Sequence, residues 1–390
     1  MGSAIILEGH ANGLGLIRAL GKEGLDVYLL DENKYNIGRY SKYCKKFLKP
    51  PYWTDEPERF VEYLEKEKEK LGLNKPVIFP THNDQVYVLS KYKDRLKENF
   101  LVTVPDWEVT EKCYNKIYTY KIAEEIGIPI PDSYYVRDGV DLQKVDELLD
   151  YPFIIKPGIM HRFYEHTGKK AFKVDDFDEL KEKYEEACEA VDPDELIFQE
   201  IIPGGPENLY SHGCFFKDGE EVRSLTKISR RQVPMDFGTS TYVEKVESDE
   251  VQALSKKILR KIDYYGMCEV EFKKDPRDGE YKFFEINPRP WKWHSLFLAN
   301  GINVPYLVYK DLNGEKIDFN SDEELEDIKW IDIHTDVYIS LKEIMRGKLR
   351  IGDYLSSIKN KKTFSVFQND DIKPFVMETL LLPYLYLKRT

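Results

Sequence analysis

The chain has 390 residues, 42% hydrophobic and 13% aromatic, with 58 Lys and Arg against 70 Asp and Glu for a formal charge of −12. That length predicts about two to three domains, and the acidic balance excludes non-specific nucleic-acid binding, which needs a basic face. Anionic ligands held in a local basic pocket stay open.

Cys44, Cys113, Cys188, Cys214 and Cys268 are widely spaced with no C-x-x-C pair. They fit buried thiols in a reducing compartment better than disulfides or a zinc site. The chain runs from Met1 directly into an apolar segment without the pattern of a signal peptide. The late apolar stretch 375–387 contains Glu378 and Pro383 and is too short for a membrane span, so a cytoplasmic location is expected.

Along the chain, AIILEGH (4–10) predicts a buried strand, 13–21 the start of a helix, and DVYLLDE (26–32) a second strand. PVIFPTHND (76–84) is a third, followed by a helix over 89–96, and FLVTVPD (100–106) is a fourth. This rhythm implies a parallel sheet with helices on both faces, over 1–105. Ligands of such sheets sit at the carboxyl ends of the strands, where Gly9, His10, Thr81, His82, Asn83 and Asp84 fall. His10 or Arg18 could reach a substrate carboxylate there.

From Asp106 the pattern turns α+β. A helix (113–126) precedes GIPIPDSYYV (127–136), which its prolines restrict to an extended edge. The strand FIIKP (153–157), a loop through 172, a charged helix (177–191) and the strand LIFQEII (196–202) follow. Two strands flank the turn KDGE (217–220), and a helix (250–264) leads to paired strands at 267–273 and 281–287. Residues 330–390 hold two or three short helical patterns. The expected units are 1–105, 106–329 (nucleotide lid about 110–200, metal-binding core about 200–310) and a helical extension, 330–390.

DPRDGE between the last two strands is a hairpin signal. A turn centred on Asp278 sets Glu271 opposite Glu285, and Glu285, Asn287 and Arg289 then share one face. Like charges directly opposite destabilise a sheet by roughly 0.2–1 kcal/mol, a sign that a divalent cation would reverse. Magnesium takes one or two carboxylates plus phosphate oxygens, Asn287 offers a neutral oxygen, and Arg289 suits a phosphoryl or carboxylate oxygen. The competing reading is a solvated polar face, and Glu269 on the same face shows how common carboxylates are here.

Lys156 ends an apolar run, where an amine is costly without an anion, and Lys116 opens a helix. QEII (199–202) could hold an adenine by backbone groups, with Glu200 near its amino group. In isolation these are a surface lysine and an ordinary strand. In order, Lys116, IIKP (154–157), QEII, EVEF (269–272) and FFEINPRPW (283–291) resemble the ATP-grasp superfamily over about 106–308. GLGLIRALGKEGLDVYLLD, GKKAF (168–172), RRQVPMDFGTSTYVE (230–244) and the tail are similar to the carboxylate–amine ligase branch that includes D-aspartate ligases. The carbamoyl-phosphate-synthetase large chain and biotin carboxylase resemble it more distantly.

The resemblance implies an ATP-grasp fold (α/β plus α+β) with a Rossmann-like N-terminal domain. ATP would lie on Lys116, Lys156, Glu200, Ile201, Ile202 and Glu207, and Mg²⁺, or Mn²⁺, on Glu271, Glu285 and Asn287. Arg289, Arg231 and Lys156 would be catalytic, and His10, Arg18, Asp84, Arg230 and His294 would face substrate. The loop after Lys156 departs from the family's Gly-rich lid, and Arg162, Lys169 and Lys170 could replace its backbone donors. The implied reaction couples a small carboxylate, activated as an acyl phosphate, to an amine, under a lid at 228–242 whose Arg230 and Arg231 could grip an anion. Those arginines could equally be a solvated basic loop, and His294 mere packing. Bicarbonate with ammonia is the alternative substrate pair, and a non-catalytic ATP-binding module the alternative class. Dimers are common in the superfamily.

Rival chemistries fit poorly. The dinucleotide fingerprint fails because Arg18 stands where the third glycine belongs. No P-loop occurs, and the seven histidines lack zinc spacing, His161 and His166 reading as loop residues.

Overall fold

The computed structural model describes residues 2–135, 141–235, 238–319 and 325–389. Three sheets organise them. The first is parallel: β1 (Ser3–Leu7), β2 (Asp26–Leu30), β3 (Cys44–Leu48), β4 (Val77–Phe79) and β5 (Leu101–Val102), in the order β3-β2-β1-β4-β5. The direction of succession reverses beside β1, so the crevice for ligands opens beyond Leu7 and Phe79. Of these strands only β3 was not expected, because its Lys45 and Lys46 are exposed on an edge and mask the apolar alternation.

The second sheet, β6 (Ser133–Tyr135), β7 (Phe153–Pro157), β8 (Phe172–Val174) and β9 (Leu196–Glu200), has the order β6-β9-β7-β8 and is antiparallel. Val136, which ends the expected edge segment, lies outside the described residues. The segment after β7 was expected to be a loop. Met160–Thr167 is instead helical, anchored by buried Phe163 and stopped by Gly168, whose φ of 66° suits glycine at a helix end.

The third sheet comprises β10 (Leu209–Lys217), β11 (Glu220–Val233), β12 (Thr239–Val246), β13 (Gly266–Lys274), β14 (Tyr281–Asn287), β15 (Lys329–Ile331) and β16 (Lys362–Phe364), ordered β14-β13-β10-β11-β12-β15-β16. The lid expected at 228–242 is mostly paired strand: Ile228 faces Glu244 and Arg231 faces Tyr242 across β11 and β12. Residues 236 and 237 of that segment lie outside the described residues. The tail is also not purely helical, since β15 and β16 extend the sheet before and between the helices Ile333–Met345, Ile351–Ser357 and Lys373–Arg389. Among the described residues no helix is long and apolar enough to cross a membrane.

Period-two alternation builds the interior. Ala4, Ile6, Val27 and Leu29 on one face of the first sheet share a core with Leu16 and Leu20 of the helix Ala11–Lys22 and with Trp291, Trp293 and Trp330. Val270 and Phe272 face the opposite way, toward the helices Lys116–Glu125 and Asp249–Lys261. Glu269 and Glu271 are therefore left on the face toward the first sheet. Trp291 can lie flat there because Gly213 has no side chain: a Cβ on Gly213 would sit 2.3 Å from its ring. Gly213→Ala is expected to lower the unfolding free energy by about 1–3 kcal/mol through overpacking. Gly352→Ala, in the helix Ile351–Ser357 with open space around it, should be neutral or gain up to about 1 kcal/mol. Urea titration of both variants is the check, and equal midpoints would contradict the tryptophan packing.

Candidate functional site

The hairpin at the edge of the third sheet brings the carboxylates together, by a route the sequence concealed. Near the turn Lys274 faces Tyr281 and Phe272 faces Phe283, a register that continued unbroken would set Glu271 against Phe284. The register shifts by one residue between Glu271 and Phe272, so Glu271 faces Glu285 and Glu269 faces Asn287. The extra residue, a β-bulge, turns Glu285 and Asn287 onto the site face while Phe283 stays in the core.

Each carboxylate has different company. Lys116 Nζ donates to Glu285 Oε2 at 2.5 Å. Asn287 Nδ2 donates to Glu271 Oε1 at 2.7 Å and more weakly to Glu285 Oε1 at 3.5 Å. Glu269 is occupied elsewhere, accepting from Trp293 Nε1 at 2.6 Å. Burial, and then the neighbouring Glu269 and Glu285, push Glu271 up to about 8. Burial also opposes ionisation of Glu285, but Lys116, Lys156 and Lys170 outweigh it and hold its pKa below the usual range. The facing pair thus carries about one negative charge at neutral pH until a cation joins it.

Arg289 Nη2 donates to Asn287 Oδ1 at 3.2 Å and Nε to Asn83 Oδ1 at 2.8 Å, tying the hairpin to the crevice of the first sheet. Lys156 Nζ is buried and donates to Tyr120 OH at 2.8 Å and Gln199 Oε1 at 2.6 Å. Burial and the charge of Lys116 lower its pKa to about 7. Among the described residues no group of three or more His, Cys, Asp or Glu stands ready for a metal. Glu271 and Glu285 offer two carboxylates, and a hard ion such as magnesium takes one or two carboxylates together with phosphate oxygens and water. Asn287 would have to turn its amide to offer the oxygen.

Residues 219–310 match the family described as carbamoyl-phosphate synthase L chain, ATP binding domain. A D-aspartate ligase of Enterococcus faecium is 27% identical over 285 residues, 70% of this chain and 67% of that protein. The N-terminal section of a carbamoyl phosphate synthase large chain from Methanopyrus kandleri is 23% identical over 82% of this chain, which spans 57% of that relative. Among solved structures, N5-carboxyaminoimidazole synthetase from Staphylococcus aureus complexed with ADP superposes with a TM-score of 0.66 at 16% identity, covering 89% of this chain and 86% of that one. L-amino acid ligase from Bacillus licheniformis gives a TM-score of 0.62 at 14% identity, covering 84% and 78%. The chain has the ATP-grasp fold.

Several expected ATP-grasp positions are otherwise engaged. Glu200 accepts from Asp132 N at 2.9 Å and from Arg277 Nη2 at 2.6 Å, and Lys273 Nζ donates to the Ile202 carbonyl at 2.7 Å. Glu207 folds back onto Gly205 N at 3.1 Å. Lys170 lies near enough to Glu285 to lower its pKa, as a charged replacement for glycine-loop donors requires.

Three expectations are corrected. Arg18, expected to reach substrate, is buried with Nε 2.9 Å from Asp371 Oδ2 and its other nitrogens on the carbonyls of Val366 and Asp371, so it clamps the tail. Arg231, expected to be catalytic, makes a two-pronged pair with buried Asp336 at 2.8 and 2.9 Å and bonds Ser357. His294, expected to face an acceptor, is buried against Asn12 O at 3.1 Å, with burial taking its pKa to about 4. Arg230 pairs with Glu244 at 2.7 Å on the surface.

The crevice retains His10 and Asp84. His10 Nε2 is 3.0 Å from Thr81 Oγ1 and 3.6 Å from Glu8 Oε2. Asp84 accepts from Tyr114 OH at 3.2 Å and lies 3.7 Å from His161, which places the helix Met160–Thr167 against the crevice. Two neighbours were missed. Glu8 directly follows β1 at φ 68°, a strained conformation for a non-glycine residue. Lys227 lies in line with Glu285, Glu271 and Ser211 across four strands, buried and bonded to Ser229 Oγ at 2.7 Å and Ser240 Oγ at 3.2 Å. The reasoning that singles out Lys156, an amine in an apolar strand, applies equally to Lys227.

If Lys156 meets phosphate, it must do so as the ammonium. The Lys156 contribution to ATP affinity is therefore expected to fall by close to tenfold per pH unit above pH 7.5, and Lys156→Met should bind weakly and lose that component of the pH dependence. Calorimetric titration at pH 7.5, 8.0 and 8.5 measures this, and a flat wild-type profile would contradict it.

Proposed function

We propose that the chain is an ADP-forming ligase that activates a small carboxylate with ATP as an acyl phosphate and couples it to an amine. The observation that carries this reading is the pair Glu271 and Glu285, facing each other beside Lys116 and joined through Asn287 to Arg289. Residues 106–329 then act as the ATP-grasp core, 1–105 supplies the substrate crevice and 330–390 buttresses both.

Glu271 and Glu285 would hold magnesium, or manganese in its place, which would supply charge neutralisation for the phosphate oxygens. Lys116, Lys156 and Lys170 balance charge on the β- and γ-phosphates, and the backbone at Ile201 and Ile202 takes the base. Such transfers depend on positioning and electrostatics more than on covalent chemistry by the protein. Arg289, fixed by Asn83 and Asn287, holds the carboxylate in line with the γ-phosphate and then steadies the acyl phosphate. His10, Glu8 and His82 border the crevice where the amine would enter, and burial pushes His82 toward its neutral form, able to accept a proton. The helix Met160–Thr167 closes the site from water through His161 and Asp84. The work is cytoplasmic on this reading, where ATP and reduced thiols are available.

Mg-ATP with pooled amino acids, or with bicarbonate and ammonia, should yield ADP and phosphate that chromatography detects. Glu285→Gln should reduce turnover by at least a thousandfold with an unchanged circular dichroism spectrum. AMP as product would replace acyl phosphate by adenylate chemistry. ADP only with bicarbonate and ammonia would favour the carbamoyl-phosphate type of reaction, and ATP binding without turnover in any pool would favour a binding module.

A further inference from the structure

The C-terminal unit shows water a face that its packing does not use. The helix Ile333–Met345 is held by Asp336 on Arg231 and by His334 against Phe375 and Glu378, yet Leu341 and Met345 are 55% and 81% exposed. On the helix Ile351–Ser357, Tyr354 and Ser357 turn toward Arg231, while Ile351 and Leu355 are 61% and 51% exposed. Five residues, 346–350, join the two helices, and Lys348 N and Leu349 N both donate to the Glu343 carbonyl, which folds that connection tightly.

Charge on this segment opposes that of the chain. Residues 342–362 carry seven Lys and Arg against Glu343 and Asp353, a local +5 in a protein of −12. The two acids are each taken up within one helical turn by Arg346 and Arg350, and Lys361 pairs with Glu326 outside the segment, which leaves Lys342, Lys348, Lys359 and Lys362 without an ion pair among the described residues. Exposed aliphatic side chains separated by cations match a layer of anionic headgroups over acyl chains. The helix Lys373–Arg389, in the same unit, adds Leu380 at 66% exposure.

We propose that the surface formed by the ends of Ile333–Met345 and Ile351–Ser357 docks on an anionic lipid bilayer. Docking would hold the ligase at a membrane face without a spanning segment, and it is independent of which acid and amine react. Aliphatic groups at single turns add modest apolar burial, so the cations set the affinity and salt weakens it.

The full chain should sediment with vesicles of phosphatidylglycerol and phosphatidylcholine in low salt and not with phosphatidylcholine alone. Raising salt to about 0.5 M should release it. Met345→Glu with Ile351→Glu should cut partitioning by more than tenfold, and Lys348→Gln by on the order of fivefold, with circular dichroism and ATP turnover unchanged. Absence of sedimentation with anionic vesicles would overturn the proposal. So would the same glutamate substitutions abolishing a dimer of this chain, or its complex with an acidic protein or nucleic acid, while vesicle binding stayed nil.

Discussion

Two carboxylates set face to face on neighbouring strands are the constraint around which the site is arranged. Glu271 opposite Glu285 is unfavourable unless a proton or a cation intervenes. The surroundings resolve the conflict unequally: Lys116 keeps Glu285 ionised, and burial leaves Glu271 protonated near neutrality. Producing this juxtaposition takes a β-bulge at the cost of one lost ladder position, and bulges of this kind re-aim side chains at functional edges. The same strand then delivers Asn287 and Arg289, and Arg289 reaches across to Asn83 in the first sheet. The facing carboxylates, Arg289 and the crevice of the first sheet are in this way fixed relative to one another by a single segment.

The second sheet contributes charge to that centre. Lys156 is held by two neutral oxygens, Tyr120 OH and Gln199 Oε1, and has no carboxylate within hydrogen-bond reach. A buried amine in that setting gains most when a phosphate arrives, which raises its pKa and so couples nucleotide binding to proton uptake. The glycine-poor segment after it folds as a helix, and the charge of Lys170 beyond that helix helps to lower the pKa of Glu285.

Much of this was legible in the sequence where the information is local. Alternation of apolar residues marks four of the five parallel strands, and Asp-Gly with flanking strands marks the hairpin. The pairing of Glu271 with Glu285 was anticipated from a turn centred on Asp278, whereas the bulge at Phe284 produces it. The result agreed and the cause differed. Long-range partners were not legible: Arg18 meets Asp371 and Arg231 meets Asp336, far along the chain, so an arginine that reads as a substrate contact and one that reads as catalytic are both held in buried ion pairs. A buried charge pair of that kind costs several kcal/mol to break from one side, about 3–5. Glu8 was missed because its importance lies in a backbone angle, and β15 and β16 because three-residue strands carry too little pattern.

Those ion pairs also explain how the C-terminal unit is retained. Asp371 bonds Arg18 and Ser41 near the first sheet, and Asp336 bonds Arg231 and Thr241 on the third, so one segment braces both sheets around the crevice. On the proposed function, Glu271 and Glu285 hold a divalent cation together with nucleotide, which electron paramagnetic resonance of Mn²⁺ titrated with the protein and ADP measures. Loss of the free-ion signal at one equivalent in the wild type, and its return in Glu271→Gln and Glu285→Gln with folding intact, is the expected result. Equal Mn²⁺ uptake by the wild type and both variants would contradict it.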